Sequence, residues 1–404
     1  MRAKLILFAV LNFLHKMPGN AQGIECATDY IHYHSMQTDS TYKKRHLSFV
    51  SKVDSLVMNQ SNNKFQSTVY VIPVVVHVIH LGELIGTGSN ISDTQIKQAI
   101  DGLNDRFRNE IGSGQDSEIE FCLASRDPDG YSTTGINRVD GSGVPNYQTN
   151  GIQFAYSNCE AASEASIKDL SKWPVSDYYN IWVVNNICQG FGGFVGFAHY
   201  PNGSPYDGTV ILANAMTYDK ATLAHELGHG FFLFHTFQGD GGNAYCPEDT
   251  LCLVYGDGVC DTPPHKQYDC GLTNPCTTIG IWDNSRYNYM SYCLKDRFTQ
   301  GQVDRMRATA IVAPRASLVT SNGCTLGIAE DYSFTIFPNP SHDIINLQSR
   351  DSIYRILITN IIGEIVYYSE SGDTEIDLQS QAKGVYFIEC QMKEEKFSKK
   401  LILQ

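Results

Sequence analysis

His225-Glu226-Leu227-Gly228-His229-Gly230-Phe231-Phe232-Leu233-Phe234-His235 decides the reading of this chain. Two histidines four residues apart fall on one face of a helix, where their imidazoles can share a metal ion. Glu226 follows the first of them and is placed to take a proton from a water at that metal. His235 comes ten residues after His225. On a continuous helix it would lie roughly 15 Å away and point elsewhere. The chain must therefore turn between His229 and His235 to deliver a third nitrogen. Three histidines leave one coordination position open, the form of a catalytic rather than a structural zinc site. A buried amphipathic helix with incidental histidines would account for the apolar frame of Leu223, Ala224 and Leu227, but not for the third histidine.

The extended motif of the metzincin metallopeptidases, H-E-x-x-H-x-x-G-x-x-H, is similar, with one departure. Phe232 stands where that motif has glycine. Glycine there ends the helix in a left-handed conformation, which costs a residue with a side chain about 1–2 kcal/mol. Packing around Phe232 must compensate, or the turn must be made another way.

Downstream, Asn288-Tyr289-Met290-Ser291-Tyr292 offers Met290 as an apolar floor beneath the histidines, against the plainer reading of a core methionine. Tyr292 would project from the same turn and donate a hydrogen bond to a developing oxyanion. Gly256-Asp257-Gly258-Val259-Cys260-Asp261-Thr262-Pro263 is an oxygen-rich loop, and Asp257, Asp261 and Thr262 form a candidate calcium site. Upstream, Cys26 has two open readings: a zinc ligand in a latent state, or half of a disulfide. The glycine-rich run from Gly192 to Ala198 is a candidate edge strand for holding an extended peptide.

Composition narrows the function classes. The net charge of −13 argues against nucleic acid and against a polybasic membrane contact. Arg2 and Lys4, followed by the apolar run Leu5–Leu11 and small residues near Gly19–Gly23, read as an export signal. No other segment has the length of a membrane span. Twelve cysteines suit an oxidising destination, and the cluster from Cys246 to Cys293, lacking the paired CxxC knuckles of a second metal site, predicts disulfides pinning a long loop, with pairings the sequence does not give.

The organisation that follows is a signal peptide (1–22), a propeptide (23–66), a catalytic domain (67–323) and a C-terminal domain (327–404). Residues 24 to about 65 are polar and lack strong periodicity. Beyond them, Val69–His80 predicts a buried strand, Ser92-Asp93 caps a helix, and Ile119–Ala124, Tyr179–Val184 and Gly208–Leu212 predict further strands. The expected fold is an α/β (α+β) domain with a mixed sheet and an active-site helix, followed by a small all-β sandwich.

Residues 69–310 resemble the pappalysin family of metzincins, in particular its cytophagalysin-like members. The resemblance rests on His225–Phe237, Gly256–Pro263, Asn288–Tyr292, Phe298-Thr299 and Gly301–Met306. It implies a secreted zinc endopeptidase acting on proteins or peptides, often with calcium near the cleft, and a propeptide cysteine segment. The C-terminal region resembles a type IX secretion sorting domain through Phe337-Pro338-Asn339-Pro340, Ile362-Gly363-Glu364, Gly384-Val385-Tyr386-Phe387 and the terminal Lys-Lys-Leu. That implies a Gram-negative bacterium, contact with its secretion machinery, and a secreted or cell-surface protein. A carbohydrate-binding sandwich is the other reading of this region, and a non-catalytic surface adhesin on a metzincin scaffold is the other reading of the whole.

Overall fold

Strand β1 (Tyr70–His80) carries the apolar run predicted to be buried, and only its ends reach solvent. A strand with both faces covered reads as continuous Val and Ile, as in a parallel sheet packed on two sides. The computed structural model describes residues 26–59, 68–154, 159–188, 193–248, 250–268, 270–271, 273–277, 283–324, 334–349, 352–392 and 395–404. The export-signal residues lie outside these. Among the described residues no helix is long and apolar enough to cross a membrane.

In chain order the first unit contains α1 (Thr28–Thr38), α2 (Ser40–Asn59), β1, α3 (Asp93–Phe107), β2 (Ile119–Leu123), β3 (Ile136–Asp140), α4 (Tyr147–Asn150) and α5 (Glu164–Lys168). It continues with β4 (Tyr179–Val184), β5 (Gly196–Ala198), β6 (Thr209–Leu212), α6 (Thr222–Gly230), α7 (Asp283–Arg286), α8 (Gln300–Ala310) and α9 (Ala316–Val319). The sheet order is β2-β1-β4-β6-β5, with β3 pairing the second half of β1 beyond β2. Every pairing is parallel except that of β5, which runs antiparallel to β6 at the edge. One core joins β1 and β4 to α3, α6 and α8 through Val76, Ile181, Leu103, Leu227 and Met306. The Ser92 hydroxyl caps α3 by accepting from the Gln95 amide, as the sequence predicts.

Residues 28–59 differ from expectation, forming two helices where no strong periodicity is visible. The buried face of α2 is only His46, Phe49 and Val53. Helical spacing is present, but one position is histidine, and the face is completed by residues from elsewhere in the chain.

The second unit comprises Ser125–Thr134 and Thr325–Gln404. Strands β7 (Phe334–Phe337), β8 (Ile344–Ser349) and β11 (Glu375–Asp377) form one antiparallel sheet, ordered β11-β8-β7. The other, β10-β9-β12-β13, uses β9 (Ile353–Asn360), β10 (Ile365–Ser369), β12 (Gly384–Met392) and β13 (Glu395–Leu403). Alternate residues such as Ile345, Leu347, Ile356, Ile358 and Ile388 fill their shared core, as in a sandwich.

Candidate metal centre

Helix α6 stops one residue after His229 because the chain reverses there. Phe232 N–H donates to the His229 carbonyl (2.9 Å), and Leu233 N–H donates to the Gly228 carbonyl (2.9 Å). This bond pair is the Schellman motif, whose left-handed residue is ordinarily glycine. Phe232 occupies that position with φ +70°. The conformational cost of about 1–2 kcal/mol is offset by complete burial of the ring, about 2–3 kcal/mol. Its neighbours are Phe49 (centroids 4.9 Å apart), Tyr200 (5.7 Å) and the Arg305 guanidinium (4.7 Å from the ring centre). Arg305 Nε also donates to the Phe232 carbonyl (3.0 Å). The departure from the motif therefore leaves the turn intact.

That turn returns His235. Its Nε2 lies 3.2 Å from Nε2 of both His225 and His229. Each Nδ1 faces an acceptor: the Tyr289 carbonyl for His225 (2.6 Å), the Leu233 carbonyl for His229 (2.8 Å) and Asp29 Oδ2 for His235 (2.8 Å). Protons held on Nδ1 leave three Nε2 lone pairs aimed at one point. Zinc–nitrogen bonds of about 2.0–2.1 Å in a tetrahedron place nitrogens about 3.3–3.4 Å apart, so the three residues fit zinc. Burial, reinforced by Lys295 and the neighbouring imidazoles, holds the His225 pKa well below its usual range. Burial and His235 push His229 down to about 3. Neutral imidazoles are the form a metal requires.

Cys26 Sγ completes a buried four-donor group with these histidines, all ligand atoms lying within 4.8 Å of one another. Five disulfides join the other cysteines of the first unit: 122–324, 159–188, 246–276, 252–260 and 270–293. Cys26 is outside them and buried, which removes the disulfide reading. Its thiol stands 3.3 Å from Glu226 Oε2, and burial followed by the Glu226 charge raises its pKa. A divalent cation at the four donors would reverse that tendency. The segment is held on β5 by one main-chain bond, from Ala27 N–H to the Gly196 carbonyl (3.2 Å), and one side-chain bond, from the Thr28 hydroxyl to the Ala198 carbonyl (3.1 Å).

Other candidate residues gather around this point. A side chain at Gly196 would meet Glu226 Oε1 at 2.9 Å, so glycine lets the edge strand approach the carboxylate. Met290 is fully buried beneath Gly228, where any Cβ would lie 2.4 Å from the methionine sulfur. The Tyr292 ring lies 5.0 Å from that of His235, and its hydroxyl donates to the Cys26 carbonyl (3.3 Å). Arg315, buried, pairs bidentately with Asp207 (3.0 and 2.7 Å) and donates Nε–H to the Gly230 carbonyl at the end of α6 (2.8 Å). A cation at a helix C-terminus is favourable.

The loop after His235 is stapled by the last three disulfides. Its acids have protein partners: Asp257 accepts from Val259 N–H (3.1 Å) and the Thr262 hydroxyl (2.7 Å), while Asp261 accepts from the Thr299 hydroxyl (2.6 Å) and Gly301 N–H (3.0 Å). Burial pushes Asp257 up to about 7. Asp257, Asp261 and Thr262 thus tie the loop to itself and to α8, and this geometry gives the calcium reading no support.

Sequence reasoning missed Asp29, Gly196 as the neighbour of Glu226, Arg305 and Arg315. Asp29 had a signal in its position three residues after Cys26. The arginines had none, because their partners lie far away in sequence.

Residues 162–311 match the peptidase M43 family model, described as pregnancy-associated plasma protein-A, and residues 335–404 match the secretion system C-terminal sorting domain. An extracellular metalloprotease of Arthroderma benhamiae is 31% identical over 198 residues, covering 44% of this chain and 60% of that protein. One from Arthroderma otae is 24% identical over 241 residues, covering 55% of this chain and 72% of that protein. Among solved structures, a promirolysin mutant from Tannerella forsythia superposes with a TM-score of 0.52 at 25% identity, covering 73% of this chain and 97% of that one. The chain thus spans less than two thirds of the first of these curated relatives. Residues 162–311, which hold the three-histidine centre, thus form a peptidase M43 (pappalysin) domain, and residues 335–404 a secretion-system C-terminal sorting domain.

Proposed function

We propose that the chain is the latent precursor of an exported zinc endopeptidase that hydrolyses protein or peptide bonds. The observation that carries this reading is the convergence of His225, His229 and His235 through Nε2, with Glu226 alongside and Cys26 closing the group. Zinc held by the three imidazoles supplies a Lewis acid that makes water nucleophilic at neutral pH. Glu226 accepts the proton of the attacking water and hands it to the leaving amine. The Tyr292 hydroxyl, here on the Cys26 carbonyl, donates to the substrate carbonyl oxygen as charge develops there. Strand β5 holds the substrate main chain where it now holds residues 26–28.

In the precursor, Cys26 is the fourth metal ligand and blocks Glu226, while the rest of residues 23–66 acts as a pro-segment. The likeness to promirolysin supports a precursor form. The sorting domain supports export by a type IX system in a Gram-negative bacterium. Metal analysis of the purified protein, with a casein assay before and after pro-segment removal and with and without chelator, tests the proposal. One zinc per chain and chelator-sensitive hydrolysis after removal are expected. Bound zinc without hydrolysis would favour the adhesin reading instead.

A further inference from the structure

Phe232 does more than close the turn. With Tyr200, Phe234, Ala308 and Val312 it forms an apolar surface on the first unit, and Phe49 and Val53 of α2 cover it. His46 adds an edge-on ring 5.5 Å from that of Phe232. Charge complements the apolar contact: Arg305 is sandwiched between Phe232 and Asp54, whose Oδ1 accepts from its guanidinium at 2.9 Å. The Arg305 side chain is only 3% exposed and Asp54 24%, so the pair is largely withdrawn from water. The ring that replaces the motif glycine is therefore a central anchor for one particular helix.

We propose that Phe232, Tyr200 and Arg305 form a docking surface whose ligand is helix α2 of this same chain, an amphipathic helix presenting an aromatic and an acidic residue. The inference rests on the latent-precursor reading and adds a second hold, independent of the metal. Cys26 and Asp29 grip the metal centre; Phe49, Val53 and Asp54 grip the Phe232 surface. Cutting the chain after α2 then leaves the segment bound, and its release, rather than the cut, limits the exposure of the centre.

The test uses the full chain with Glu226→Ala, which excludes self-digestion, and a site-specific protease sequence introduced between Asn59 and Thr68. After cutting, gel filtration and mass spectrometry follow the loss of the N-terminal fragment. The parent should retain it, and Phe49→Ala or Asp54→Asn should speed its release at least about tenfold, the scale of losing an interface anchor. Phe232→Gly, which removes the ring while favouring the turn, should do the same. Cys26→Ser in the same format measures the metal-side hold separately. Immediate loss of the fragment from the parent, or release unchanged by all three surface variants, would overturn the docking surface. Because release is read without catalysis, a chain with Glu226 intact that cleaves nothing after losing its fragment would refute the peptidase reading and leave this result standing.

Discussion

Cys26 Sγ sits 3.3 Å from Glu226 Oε2, so the thiol meets both the converging nitrogens of His225, His229 and His235 and the carboxylate proposed as the base. One side chain thereby closes two functions. Cys26→Ala in the full-length chain should raise peptide hydrolysis at least about tenfold over the unprocessed parent, since a Cys–metal bond and a blocked base are removed together. A fluorogenic peptide assay before any processing checks this. Equal, low activity in both proteins would mean that latency lies elsewhere.

The Tyr292 hydroxyl donates to the Cys26 carbonyl at 3.3 Å, the bond that a substrate carbonyl would take over in the proposed mechanism. Tyr292→Phe in the processed enzyme should lower kcat by about 10–100-fold with little change in KM, the pattern of a bond that strengthens in the transition state. A rise in KM alone would make Tyr292 a substrate-binding residue instead.

Acid should loosen the pro-segment through His46. This imidazole faces His32 and Tyr42 from the pro-segment helices, and Tyr200, Phe232 and Arg305 from the surface beneath. Its buried Nδ1 has no hydrogen-bond partner among the described residues. Burial, then His32 and Arg305, push its pKa down to about 3. The docked state thus binds fewer protons than the released state, where histidine titrates near 6.5. Docking is at full strength above about pH 6.5 and weakens as pH falls below it, by about 2 kcal/mol at pH 5. Fragment release from the cut Glu226→Ala chain should therefore be faster at pH 5 than at pH 7.5, and His46→Phe should remove much of the difference. An unchanged pH profile in His46→Phe would assign the effect to another group.

Legibility in the sequence followed the range of the interactions. The pair His225 and His229 is set by helical spacing, and β1 by a run of β-branched residues, so both can be read locally. The second sandwich unit shows in its alternation and turns. The outcome at Phe232 could not be read, because the compensation for its φ comes from Phe49, Tyr200 and Arg305, all distant in sequence. Helix α2 was hidden for a related reason: its buried face is half a core, and Tyr200, Phe232, Ala308 and Val312, distant in sequence, supply the other half. At Asp261 the carboxylate could be read but not its partners, because Thr299 and Gly301 lie 38 and 40 residues further on.

The central claim is that the histidines hold zinc and Glu226 performs the proton transfer. Zinc content and peptide cleavage, measured together on processed wild-type and Glu226→Ala proteins, test it most directly. Both should carry one zinc per chain, with hydrolysis in the variant reduced by at least about a thousandfold, the upper part of the range for removing a general acid–base. Full activity in the zinc-loaded Glu226→Ala protein would contradict the account.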